Sequence, residues 1–289
     1  MLLFLQALLN GILLGGIYAV FSAGFSLIFG VMGVVNLSHG DFLMLGAFTT
    51  YWLFSLMGID PFITLPGAMV LLFLFGFLLQ RLIINRVIGA PPIMSYLCTF
   101  GIHLATANIA LRFWTADYRS VTTTYSGATA DLFGLVIPWL RLITFGFALL
   151  IIVGLYVLLY KTDIGRAIRA TGQDREMARL TGINVNKIYT MTFAVGAAIT
   201  GMAGSLISNY FVIYPQMGLS YTIIAFCVVV LGGMGYVPGA LWGGLILGVI
   251  ESLTATYLTA GLSIAVTFFI LFLMLILKPA GILNRGTVE

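Results

Sequence analysis

Charge is what this sequence has least of. Asp, Glu, Lys and Arg make up 8% of its 289 residues while 61% are hydrophobic, and a soluble domain carries about a quarter charged residues. Composition therefore excludes an ordinary water-soluble domain and implies an integral membrane protein. Histidine and cysteine are rarer still, with two of each. Cys98 and Cys227 fall in separate apolar runs and read as small buried hydrophobes, not as a disulfide or a metal pair. His39 and His103 stand in no metal-ligand spacing with cysteine or with each other, which excludes a zinc enzyme; no metal or other cofactor is expected. A phosphate loop places Gly directly before Lys, whereas Lys161, Lys187 and Lys278 follow Tyr160, Asn186 and Leu277. The chain is not expected to hydrolyse ATP by itself. It also lacks the clustered polar groups of a membrane enzyme, and its net charge of +4 belongs to short loops, not to a nucleic-acid patch.

What it has instead is a series of apolar runs near the 20 residues that a helix needs to cross the hydrocarbon core. The fold class is an all-α polytopic helical bundle, with eight or nine membrane segments in one domain over residues 1–289. The first run, from Leu2 to Ile28, has no basic residue before it and no small-residue cleavage site, so it reads as a retained span. Further runs cover Phe62 to Gln80, Pro92 to Phe113, Leu142 to Tyr160, Ile188 to Phe211, Tyr221 to Leu231, Ala240 to Leu258 and Leu262 to Leu277. Between Gly24 and Phe48 the chain is apolar but interrupted by Gly30, Gly33, Asn36, Ser38, His39, Gly40 and Asp41. Ser38 and Asp41 have capping-box spacing, which starts a helix running to about Met57. Glycines recur four apart at Gly11 and Gly15, at Gly235, Gly239 and Gly243, and at Gly244 and Gly248, a spacing that lets helices approach closely. Pro238 and its neighbouring glycines mark a helix break, placed near mid-membrane.

Charge returns in one place. KTDIGRAIRATGQDREMARLTGINVNK, Lys161 to Lys187, holds six of the 13 Lys and Arg residues. Positive residues favour the cytoplasm, so this loop, the turn at Arg81 and Arg86, and the C-terminal Lys278 and Arg285 are expected inside, with 114–140 outside. Within the loop, Thr171 and Asp174 have capping-box spacing and Gly182 suits a left-handed C-cap, predicting a helix over Thr171 to Thr181. One side carries Met177, Ala178, Leu180 and Thr181; the other carries Arg175, Glu176 and Arg179. Such a helix suits docking of a soluble protein, and equally a solvated position on lipid headgroups.

Ionisable groups inside the spans are few. Glu251 sits in an apolar run, where a charge costs roughly 2.5–3.5 kcal/mol, making it a candidate for the interior of the bundle. Asp41 has a structural explanation as a helix cap, and His39 has one as a donor to a carbonyl. Asn36, Ser38, His39, Asp41 and Glu251 are the candidates for a translocation path.

GFSLIFGVMGVVNLSHGDFLMLGAF resembles the N-terminal signature of the permease subunits of branched-chain amino acid ABC importers, the LivH-like branch. IGRAIRATGQDREMARLTGINVNKIYTMTFAVGAAITGMAGSL resembles the same family's cytoplasmic loop and following span. The resemblance implies a bacterial inner-membrane permease with the architecture of type II importers. Its implied partners are a second, LivM-like permease, two ABC ATPase subunits and an extracytoplasmic solute-binding protein. Carried onto this sequence, the coupling helix is about Thr171 to Thr181, comprising Thr171, Asp174, Arg175, Met177, Ala178, Arg179 and Leu180, and ending at Gly182. Ala178 and Gly182 fall where the family has small residues. Permeases for urea, short amides and other amino acids share both motifs. A self-sufficient channel or secondary transporter would need ion-coupling carboxylates or an inverted repeat, and the sequence offers one candidate acid and no convincing repeat.

Overall fold

An apolar run that meets neither proline nor charge before Gly33 forms one helix, α1, Leu2–Met32. Its 31 residues make about 46 Å, more than the roughly 30 Å of hydrocarbon in a bilayer. Gly33 ends it in the left-handed conformation, φ 66°, with its N–H returned to Phe29 O. The computed structural model describes residues 1–132, 134–278 and 281–283. Arg285 lies outside the described residues.

After α1 come α2 (His39–Met57), α3 (Leu65–Leu82), a single 3-10 turn (Ile84–Arg86) and α4 (Pro92–Trp114). A short antiparallel hairpin of β1 (Thr129–Leu132) and β2 (Leu135–Pro138) precedes α5 (Trp139–Lys161). Then follow α6 (Asp163–Gln173), α7 (Arg175–Leu180), α8 (Val185–Ile207), α9 (Met217–Gly232), α10 (Val237–Tyr257) and α11 (Ala260–Leu277). Among the described residues six helices are long and apolar enough to cross a membrane: α1, α3, α4, α5, α8 and α10. Two shorter apolar helices lie at Met217–Gly232 and Gly261–Leu277.

The glycine repeats read from the sequence face one another. Gly11 and Gly15 of α1 meet Gly248 and Gly244 of α10, so closely that a Cβ on Gly11 would lie 2.5 Å from Val249 Cα and one on Gly15 2.7 Å from Gly244 O. The two helices touch backbone to backbone. The Gly-rich stretch before α10 differs from its expected role. Gly233 (φ 108°) and Gly235 (φ 80°) form a turn joining α9 to α10, and Pro238 sits in the first turn of α10, where its missing N–H has no helical partner to lose. Gly235 packs on Gly30, near the C-terminal end of α1, so the break lies at one end of the bundle and not at its middle.

Two contacts mark the two ends of α1. Near its start, the Gln6 side chain donates to Val136 O (2.8 Å) and accepts from Val136 N (3.0 Å) of the hairpin. Near its end, a Cβ on Gly172 of α6 would lie 3.2 Å from Gly30 O. The hairpin and the charged loop therefore occupy opposite ends of the bundle.

The charged loop is two helices, not the single helix from Thr171 to Thr181 that the sequence predicts. Thr171 lies inside α6, buried, with its hydroxyl donating to Ala167 O at 2.8 Å, and it caps nothing. The caps are Thr162, which accepts from Gly165 N at 3.1 Å to start α6, and Asp174, which accepts from Glu176 N (2.8 Å) and Met177 N (3.0 Å) to start α7. The cause is packing: α6 buries Gly165, Ile168 and Thr171 and is carried on past Thr171 to Gln173, leaving Asp174 to begin the next helix. At the far end Gly182 (φ 86°) donates to Arg179 O and Ile183 to Ala178 O, both 3.0 Å, which is a Schellman motif.

Candidate functional site: a polar seam between helix ends

The segment 33–38 between α1 and α2 is irregular, with Val34, Asn36 and Ser38 buried and Val35 and Leu37 half-buried, so its backbone groups need partners that neither helix supplies. Side chains from α4 and α9 supply them. Thr99 Oγ1 of α4 accepts from Leu37 N at 3.2 Å. Thr222 Oγ1 of α9 accepts from Gly40 N at 2.8 Å and lies 3.2 Å from Leu37 O. Ser38 stands at the N-cap position of α2, but its hydroxyl donates to Asn36 Oδ1 (2.8 Å), which also accepts from Ser38 N (3.1 Å). The Ser38–Asp41 capping box is therefore not formed. Thr222 fills the capping role from another helix, and Asp41 is free to reach across to α4.

There Asp41 meets His103. His103 Nδ1 is 2.9 Å from Asp41 Oδ1 and 3.0 Å from Oδ2, with both residues buried. His39 serves a third helix pair: its Nε2 lies 2.8 Å from Phe21 O of α1 and 3.0 Å from Thr200 Oγ1 of α8. Thr200 donates its own proton to Gly196 O at 2.8 Å, so Nε2 carries the hydrogen and donates to both acceptors. That tautomer makes His39 Nδ1 an acceptor, and among the described residues neither it nor the Asn36 Nδ2 donor has a partner. The ring edge of His39 also packs on Phe25, centroids 5.1 Å apart.

Glu251 stands apart from this group. Its carboxylate accepts from Tyr18 OH of α1 at 2.8 Å, and the neighbouring Ser252 donates to Ala7 O at 2.7 Å. Tyr18 is linked to the seam by rings: it meets Phe21 edge-on at 5.7 Å, and Phe21 meets Tyr221 of α9 at 6.0 Å. Asn36, Ser38, His39 and Asp41 are thus brought together, while Glu251 lies toward the hairpin end of the same bundle interior.

The loop residues form a separate site. Met177 and Leu180 of α7 are 60% and 80% exposed, whereas Ala178 is 4% exposed. The expected apolar face is therefore split: Met177 and Leu180 project outward beside the exposed Arg175 and Arg179, and Ala178 packs inward. Between the loop and the end of α1 lies a cavity of about 720 Å³, with Gly30, Tyr160, Arg169, Gln173 and Tyr236 in its wall. Arg169 is stacked over Tyr160 at 4.6 Å and donates to Leu159 O at 3.1 Å, tying α6 to α5. The sequence marks His103 only by its lack of metal-ligand spacing and gives no signal for Thr99, Thr200 or Thr222, since nothing in their spacing marks which helix face meets residues 33–41.

A bundle of apolar helices with ionisable groups turned to its interior is a polytopic helical membrane protein. A family model described as branched-chain amino acid transport system / permease component matches residues 7–277, and the chain belongs to that family. It is 32% identical to the high-affinity branched-chain amino acid transport system permease protein BraD of Pseudomonas aeruginosa, over 99% of this chain and 97% of that one. Its identity to the LivH permease protein of the corresponding Escherichia coli system is 31%, over 100% and 98%. The ribose import permease protein RbsC of Haemophilus influenzae is 31% identical over 81% of this chain and 72% of its own. No solved structure matches the chain.

Proposed function

We propose that the chain is the transmembrane permease subunit of an ATP-binding-cassette importer. In this reading it forms half of the path by which amino acids, branched-chain ones foremost, cross a bacterial inner membrane. The observation that carries this is similarity along essentially the whole chain to permeases named for branched-chain amino acid transport. The chain is not an enzyme; ATP is hydrolysed by two separate ATPase subunits. A second, LivM-like permease completes the path, and an extracytoplasmic binding protein delivers the solute. The whole of 1–289 acts as one membrane domain. Adding α2 and the two shorter apolar helices to the six long ones reaches the upper end of the expected eight or nine segments.

The loop carrying α6 and α7 is assigned to the cytoplasm by its six basic residues. Its ATPase-docking element is α7 with its two caps, presenting Met177 and Leu180 between Arg175 and Arg179. Asn36, Ser38, His39 and Asp41 are at most 1% exposed, so in this conformation they frame the path and do not line it. Glu251 is partly accessible and is the path residue that a solute can meet.

The test is reconstitution of the complete importer in liposomes with ATP inside and loaded binding protein outside. ATP-dependent uptake of leucine, isoleucine or valine is expected. Uptake of urea or acetamide in their place would overturn the solute assignment, and uptake without the ATPase subunits would overturn the importer class.

A further inference from the structure

Among the described residues, the only side-chain donor to the Glu251 carboxylate is a tyrosine hydroxyl. Among the described residues the ion pairs are His103–Asp41 and Arg166–Asp163, and neither involves Glu251. Its one side-chain hydrogen bond is the 2.8 Å contact from Tyr18 OH. Backbone packing holds the two helices together beside this pair: Gly11 and Gly15 of α1 meet Gly248 and Gly244 of α10, about one and two turns before Glu251. The site lies toward the hairpin end of the bundle, since the adjacent Ser252 is bonded to Ala7 O and Gln6 to the hairpin itself. From Tyr18 a row of aromatic rings continues: Tyr18 meets Phe21 edge-on at 5.7 Å, and Phe21 meets Tyr221 at 6.0 Å.

A carboxylate with one donor and no counter-ion is unfavourable in a low-dielectric interior, and either a proton or a cation brought beside it removes the cost. Aromatic faces favour the same charge, because the ring face is negative and attracts an ammonium. An anion is repelled, and a neutral amide gains only a hydrogen bond. We propose that Glu251, held in place by Tyr18, binds the α-ammonium group of the solute as it enters the membrane path, so that the permease selects protonated amines over neutral amides of similar size. The proposal rests on the amino-acid permease reading and deepens it. Glu251 is the binding group; Tyr18 is a positioning residue.

The test uses the complete importer with saturating leucine-loaded binding protein, and compares the wild type with Glu251→Gln, Glu251→Asp and Tyr18→Phe. Co-purification of all partners establishes assembly for each variant. Glu251→Gln keeps size and hydrogen-bonding capacity but removes the charge, and leucine uptake is expected to fall at least tenfold. Glu251→Asp, which restores the charge, is expected to recover part of that loss, and Tyr18→Phe to lower uptake several-fold. Wild-type uptake in assembled Glu251→Gln would overturn the proposal. If Glu251→Gln does not assemble, Tyr18→Phe decides: assembly with wild-type uptake overturns the proposal, and assembly with reduced uptake supports it. Failure of both to assemble makes the pair a packing contact and also overturns it. Uptake of neutral amides and not leucine by the wild type is a different result, and defeats the amino-acid reading itself.

Discussion

His103 Nδ1 lies 2.9 Å from Asp41 Oδ1, joining the middle of α4 to the first turn of α2 across 62 residues of sequence. Both groups are buried, so each satisfies a need that solvent cannot meet. Asp41→Ala is expected to destabilise the purified permease by about 3 kcal/mol, because it leaves His103 buried without its acceptor. Asp41→Ala with His103→Leu is expected to cost less than the sum of the two single changes. Thermal unfolding in detergent, run as a double-mutant cycle, measures the coupling; additive effects would mean that the contact contributes nothing.

Leu180 and Ala178 sit two residues apart on α7 and face opposite ways. Leu180→Glu is expected to leave insertion and expression normal while abolishing ATP-coupled uptake, since the changed side chain is 80% exposed. Ala178→Glu is expected to lower the amount of folded protein instead, because it places a charge in a site 4% exposed. Asp174→Ala, which removes the α7 cap, is expected to cost about 1 kcal/mol locally. Immunoblots of membrane fractions beside uptake assays separate the first two effects.

Orientation is checked by cysteine labelling in a background lacking Cys98 and Cys227. Gln173→Cys and Asp131→Cys are both on exposed residues at opposite ends of the bundle. An impermeant maleimide applied to intact cells is expected to label position 131 and not position 173. The reverse pattern would invert the topology. Thr171, inside the same loop, is buried and would report nothing from either side.

The helix seam predicts a contrast between two glycines. Gly248→Leu is expected to destabilise the permease by about 1–3 kcal/mol or prevent its folding, since a Cβ there already comes within 2.5 Å of Gly11 O. Gly101→Ala on α4 has nothing within 4 Å of the added methyl and is expected to be neutral. Melting temperatures of the two purified variants test this directly.

Features whose cause is local were legible. The start of α4 at Pro92, the stop of α2 after Met57 and the left-handed Gly182 each depend on residues within a turn of themselves. The spacing of Gly11, Gly15, Gly244 and Gly248 announced a close contact, though not that these four would meet each other. Where two local signals competed, sequence misled. Thr171 and Asp174 fit one capping template, but burial of α6 against α1 extended the first helix over Thr171 and left Asp174 as the true cap. Ser38 and Asp41 fit the same template, yet each found a stronger partner, Asn36 for one and His103 for the other. The seam around residues 33–41 was illegible in detail because its hydrogen-bond partners, Thr99, Thr200 and Thr222, come from three helices whose relative depth no spacing encodes.

Helix α1 has no proline and no irregular residue between Leu2 and Met32, and it is held at one end by the hairpin through Gln6 and at the other by α6 through Gly30. It is a strut without a joint. If closure of the partner ATPases displaces its loop end, the continuous backbone of α1 carries that displacement toward its hairpin end. Tyr18 rides on that strut, so the phenol that steadies Glu251 would move with the same stroke. Because α10 is packed on α1 through the four glycines, Glu251 would travel with Tyr18, and the pair would move as one body.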